Sequence, residues 1–189
     1  MRKIVLAGAF ILLATLAAAT AENFGHFVGE LVLTPMDDGR NMKLVQPYAY
    51  VDPKDHEWPV PAGEITDGAS VPKFFWAYYA PFTGNYRNAA VIHDYYCVTK
   101  SATWEATHLL FYNAMRAANV AEKDAKILYA AVYYFGPRWG VGSGTRGPGA
   151  QKATTPEQQR ELFEQYKTWI EQNNPPLGDI EDRLDNAKT

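Results

Sequence analysis

Cysteine is almost absent from this chain: Cys97 is the single one among 189 residues. One cysteine forms no internal disulfide, so an apolar core has to carry the stability, and a chain of this length can bury such a core unaided. A positive balance is missing as well. Eighteen Lys and Arg stand against 21 Asp and Glu, for a net charge of −3, which argues against general nucleic-acid binding because that needs a positive field. After the first twenty residues no segment is apolar enough to cross a bilayer. Internal repeats are absent, and no Gly-x-Ser-x-Gly setting exists for a nucleophilic serine.

What is present begins with a basic start, MRK, an apolar middle, IVLAGAFILLATLAAA, and small residues in an A-x-A pattern at Ala19-Thr20-Ala21. That is the layout of a secretory signal peptide cleaved after Ala21; a retained anchor is the alternative. No cysteine near the cleavage point offers a lipid attachment. The expectation is an exported protein, periplasmic or extracellular, with no membrane span after cleavage and no nucleic-acid partner. The organisation expected is a leader at 1–21, a single α+β domain at 22–150, and a docking helix with a polar tail at 151–189.

The first half reads as strands. Phe24 to Thr34, Met42 to Val51 and Val60 to Thr66 carry partial alternation with β-branched and aromatic residues. Asp38-Gly39 offers the turn between the first two, and Pro47 suggests an edge or a bulge. The period then changes. Ser70 caps a short aromatic helix that holds Phe74, Phe75 and Trp76. Helices are expected over 85–98, 103–118 and 122–135. Thr155-Pro156-Glu157-Gln158 has the form of a capping box that opens another helix, with Leu162, Phe163, Tyr166, Trp169 and Ile170 as its apolar stripe. The polar run from Asn173 reads as a fraying tail. Strands first and helices after, without alternation, indicate α+β: a small antiparallel sheet packed on a bundle of four to five helices. The aromatic cluster between Trp76 and Trp139 reads as core. The Gly-rich stretch from Gly136 to Gly149 lacks the Gly-Lys-Ser/Thr ending of a phosphate loop and reads as a connector or surface flap.

Two polar signals interrupt this pattern. Thr66-Asp67-Gly68-Ala69-Ser70-Val71-Pro72 is a strand–turn–helix joint in its simplest reading. In its functional reading Asp67 projects a carboxylate beside a helix N-terminus. The second signal, His93-Asp94, lies inside the apolar run VIHDYYC. A buried carboxylate needs a partner or a metal. Adjacent helical residues diverge by about 100 degrees, so the two side chains cannot form a simple dyad. His is the natural base near neutral pH and Asp a natural ligand for a hard cation such as calcium; a structural polar network is the other reading. Cys97 lies one turn beyond His93, within reach at i, i+4, but that is poor geometry for a cysteine protease. His108, four residues after Trp104, sits on an apolar face and reads as a core histidine.

Val60-Pro61-Ala62-Gly63, Thr66-Asp67-Gly68-Ala69-Ser70-Val71-Pro72, Phe75-Trp76 and Ala89-Ala90-Val91-Ile92-His93-Asp94-Tyr95 together resemble a bacterial and phage family, domain of unknown function 1353. The resemblance covers about residues 27 to 139. It implies a prophage-related origin and convergence of the two signals in one site, and it brings no settled activity. Where members often carry Glu-Ala-Asp, this chain has Glu105-Ala106-Thr107, so a third carboxylate is missing. His93-Asp94-Tyr95-Tyr96 is also locally similar to the His-Asp helix of secretory phospholipases, in which His activates water and Asp binds calcium. The single cysteine and the lack of a Cys- and Gly-rich calcium loop set this chain apart from those enzymes.

Two functional expectations follow. The first is a metal-assisted hydrolase acting on an envelope ester or amide, of lipid or peptidoglycan. It has His93 as base, Asp94 as cation ligand, Asp67 as a second ligand or orienting group, and a divalent cation as cofactor, calcium ahead of zinc. The second is a non-enzymatic envelope or phage-derived interaction protein in which His93 and Asp94 form a buried structural network.

Overall fold

A computed structural model describes residues 22–68, 75, 78–80, 82–140 and 155–186 of the chain. The leader expected at 1–21, the helix cap at Ser70 and the Gly-rich stretch beyond Gly140 lie outside the described residues.

The element order is six short strands followed by five helices, the α+β arrangement expected from the sequence. The strands are β1 (His26–Val28), β2 (Leu33–Pro35), β3 (Met42–Leu44), β4 (Tyr48–Val51), β5 (Glu57–Val60) and β6 (Ile65–Thr66). The helices are α1 (Arg87–Thr99), α2 (Trp104–Ala117), α3 (Glu122–Phe135), α4 (Pro156–Asn173) and α5 (Leu177–Asn186).

Each long strand expected from the sequence is broken in two. Gly29, at φ +85, separates β1 from β2, and Pro47 falls between β3 and β4, where it owes no ladder hydrogen bond. Two antiparallel sheets result instead of one, ordered β1-β4-β5 and β2-β3-β6. In the first, Tyr50 lies opposite Phe27 and Trp58. In the second, Met42 lies opposite both Pro35 and Thr66. The Asp38-Gly39 turn forms as expected. Gly39 takes φ +68, and the Asp38 carboxylate accepts from the Arg40 and Asn41 backbone N–H groups.

The three middle helices match the apolar spacing closely. Thr103 caps α2 by accepting from the Ala106 N–H at 3.1 Å, with Glu105 in the first turn. Every residue of α3 from Ala125 to Tyr134 is buried, so α3 is the central rod of the core. The rings of Phe75, Phe111 and Tyr129 are fully buried around it, which makes the aromatic cluster a core. The capping box of α4 forms with both reciprocal bonds, and Phe163, Tyr166 and Ile170 enter the same core.

The tail after Asn173 is a correction to the sequence reading. It folds as α5, whose Ile180 and Leu184 are fully buried. The polar residues that suggested fraying tie it down: the Tyr129 hydroxyl donates to Glu181, and Tyr133 donates to Asp185 at 2.9 Å.

Candidate functional site

The site is built where α1, α2 and β6 meet. On α1 the run Ala89–Asp94 is buried without a break, so the helix places two polar groups in successive directions within the core. Asp94 faces the sheet. Its Oδ2 accepts from the Thr66 hydroxyl at 2.6 Å and from the Gly68 backbone N–H at 3.3 Å. Asp94 is 4 % exposed and Thr66 3 %, so these are low-dielectric, charge-assisted bonds.

His93 turns the other way, toward α2. It is fully buried, and its Nε2 lies 2.9 Å from Nδ1 of His108, which is also fully buried. Cys97, one turn further along α1, brings its Sγ to 3.5 Å from His93 Nε2. Donor atoms of His93, Cys97 and His108 all lie within 4.8 Å of one another. On the opposite edge of the His93 ring, Nδ1 stands 3.9 Å from Asp94 Oδ1. The rings of Phe111, Trp104 and Trp139 enclose the two imidazoles. Arg138 stacks on Trp104 at 4.0 Å.

Desolvation dominates the electrostatics. Burial pulls the His93 pKa down to about 3 and, with the neighbouring His93 and Arg138, holds His108 well below its ordinary value, partly offset by the Pro137 carbonyl. Both imidazoles are therefore neutral at neutral pH. Burial first, and the Asp94 charge second, push the Cys97 thiol up, so without a cation it is a protonated thiol and not a nucleophile. Among the described residues, four buried side-chain atoms have no hydrogen-bond partner: Thr107 Oγ1, His108 Nε2, Arg116 Nε and Arg138 Nε.

The structure brings His93 and Asp94 together with two residues that sequence reasoning had set apart. The i, i+4 spacing of His93 and Cys97 was legible. His108 was not, because its place depends on how α2 packs on α1. Asp67 lies at the surface side of the joint: its Oδ2 pairs with Arg40 at 2.8 Å, and its side chain is 35 % exposed. The same turn reaches the site through the Gly68 N–H instead.

Among curated proteins, the chain is 42 % identical over 127 residues to the uncharacterized protein y4jT of Sinorhizobium fredii, a stretch that is 65 % of this chain and 37 % of that protein. It is 39 % identical over 116 residues to y4iH, a second uncharacterized protein of the same organism, covering 60 % of this chain and 48 % of that one. The chain thus spans less than half the length of either relative. No solved structure matches it. The family profile described as "Protein of unknown function (DUF1353)" matches residues 42–132, a span that runs from β3 to α3 and contains His93, Asp94, Cys97 and His108. Residues 42–132 of the chain thus match the domain of unknown function 1353 family.

Proposed function

We propose that the chain is an exported, metal-assisted hydrolase of an envelope ester or amide, with its centre at the His93 turn of α1. One observation carries this reading: two neutral imidazoles, a thiol and a carboxylate converge in a core that apolar side chains could fill more stably. Burying such groups together is costly to the fold and is a recurrent property of chemical sites. Neutral His93 has a lone pair for a proton or a cation. A bound divalent cation would supply an activated water near neutral pH. Cys97 and Asp94, at 7 % and 4 % exposure, are the members of the cluster that solvent reaches.

The lipid side of the substrate class has a further observation in its favour. A groove of about 470 Å³ is lined by Val28, Tyr48, Pro59, Val60 and Pro61 and by Tyr95, which directly follows the His-Asp pair. Its walls are largely apolar, as an acyl chain requires.

The second reading, a structural network in an interaction protein, also has its own observation: Asp94 staples α1 to β6 through Thr66 and Gly68. The two readings separate at His93. The test is hydrolysis of phospholipid vesicles and of peptidoglycan by the full chain in the presence of zinc or calcium, with His93→Ala as control and melting curves of both. Cation-dependent turnover that His93→Ala removes while the protein stays folded is the expected result. Absence of turnover on either substrate with either cation would leave the structural reading.

A further inference from the structure

The protons of the two imidazoles expose a conflict that a cation would remove. His93 Nε2 and His108 Nδ1 face each other at 2.9 Å, so in the neutral pair one proton sits between them. If His93 donates it, His93 Nδ1 keeps a lone pair turned toward the Asp94 carboxylate, 3.9 Å away. If His108 donates it, His108 Nε2 keeps a lone pair on the side of the Gly136–Pro137 backbone. A Cβ at Gly136 would stand 3.1 Å from that nitrogen, and the Pro137 carbonyl favours a proton on the ring. Either tautomer sets a lone pair against an oxygen. With both protons on the outer nitrogens, that of His93 turns toward Asp94 and that of His108 toward the Gly136–Pro137 side, where Nε2 has no hydrogen-bond partner, and the two lone pairs face each other at 2.9 Å, with the Cys97 sulfur 3.5 Å from His93 Nε2.

The spacing of these atoms approaches a known coordination geometry. Zinc bound to nitrogen at about 2.0–2.1 Å and to sulfur at about 2.3 Å in a tetrahedron separates N from S by about 3.5 Å and N from N by about 3.3 Å. Here the sulfur lies 3.5 Å from His93 Nε2, the two nitrogens, at 2.9 Å, need to part by a few tenths of an ångström, and His108 Nδ1, within 4.8 Å of the sulfur, has to reach about 3.5 Å from it to complete the set. Hard cations such as calcium and magnesium take six or more oxygens, whereas the two imidazoles and one thiolate are donors for a borderline-soft ion.

We infer that His93 Nε2, His108 Nδ1 and Cys97 Sγ are three ligands of a zinc-type divalent cation, and that Asp94 orients His93 rather than binding the ion. This rests on the reading of the His93 turn as a chemical centre and replaces calcium by zinc in it. On binding, the Cys97 thiol gives its proton to solvent and the sulfur becomes a thiolate ligand. Closing the 3.9 Å between His93 Nδ1 and Asp94 Oδ1 to hydrogen-bond distance would give the carboxylate–histidine arrangement that fixes a ligand's tautomer. Three protein ligands leave a fourth position open, as in catalytic zinc sites and unlike closed structural ones.

The test is titration of cobalt(II), and of zinc in competition, into the chelator-treated full chain, followed by visible and near-ultraviolet absorption. One equivalent of cobalt should give tetrahedral bands with a thiolate charge-transfer band, and zinc should bleach both. Calcium in excess should change neither. Cys97→Ser should remove the charge-transfer band, and Asp94→Asn should keep it with affinity lowered about 10- to 100-fold. The wild-type spectrum alone decides if a variant does not fold. No cobalt or zinc uptake, or an octahedral spectrum without the thiolate band, would overturn the inference. Cobalt bound as expected in a protein that hydrolyses nothing would leave this site standing and sink the hydrolase reading. Hydrolysis that needs calcium would do the reverse.

Discussion

At the residue scale, His93 and Asp94 divide the work that their adjacency left open. The angle between neighbouring helical side chains showed that they could not serve as a simple dyad, and the fold confirms two directions, with Asp94 toward Thr66 and His93 toward His108. The sequence could not show that Asp67 would spend its carboxylate on Arg40, because that pairing depends on where the Asp38-Gly39 turn lands. Removing one partner of a buried charged network is costly, so Asp94→Ala should lower unfolding free energy by about 3 kcal/mol. In chemical denaturation, Thr66→Val should lose less than half as much, since Gly68 still donates. The histidines predict a pH dependence. His93 titrates near 3 in the fold against about 6.5 unfolded. The unfolded chain therefore takes up a proton that the native state refuses. The stabilisation is complete above pH 6.5 and is lost as pH falls toward 3, by up to about 1.4 kcal/mol per pH unit from this one group. Melting temperature measured from pH 7 to pH 4 should fall less steeply in His93→Phe than in the wild-type chain, and an equal slope would place the proton uptake elsewhere.

At the scale of elements, the helices with strong local signals were legible and the elements held by tertiary contacts were not. The capping box of α4 is a local device; Thr155→Ala should cost about 1 kcal/mol. The strands β1 to β4 were readable as extended chain, but a single Gly29 and a single Pro47 split them between two sheets, an outcome decided by the register with β5 and β6. The helix α5 was misread because its acids suggest solvent, while Glu181 and Asp185 in fact accept from the buried hydroxyls of Tyr129 and Tyr133. Leu184 is fully buried beneath them, so Leu184→Ala should lower stability by about 2–5 kcal/mol. Loss within the few tenths typical of a surface site would mean that α5 does not dock as described. Gly136 ends α3 with no room for a side chain. A Cβ there would lie 2.2 Å from the Val132 carbonyl oxygen and 3.1 Å from the His108 ring, so Gly136→Ala should lower both melting temperature and cobalt affinity.

At the scale of the whole molecule, strands first and helices after gave the α+β class, because fold class follows from the order of elements rather than from their boundaries. None of the described helices is long and apolar enough to cross a membrane. The candidate centre was only half legible. His93, Asp94 and Cys97 share one helix, and their offsets can be counted along the chain; His108 arrives from α2, fifteen residues away, and only packing shows that its Nδ1 meets the same spot. The central claim is that this spot is a cation site with sulfur in its ligand set. X-ray absorption at the zinc edge, on the full chain loaded with one equivalent of zinc, tests it most directly. The account predicts a first shell with nitrogen at about 2.0–2.1 Å and a single sulfur at about 2.3 Å. A shell of oxygen and nitrogen alone, with no sulfur, would contradict it.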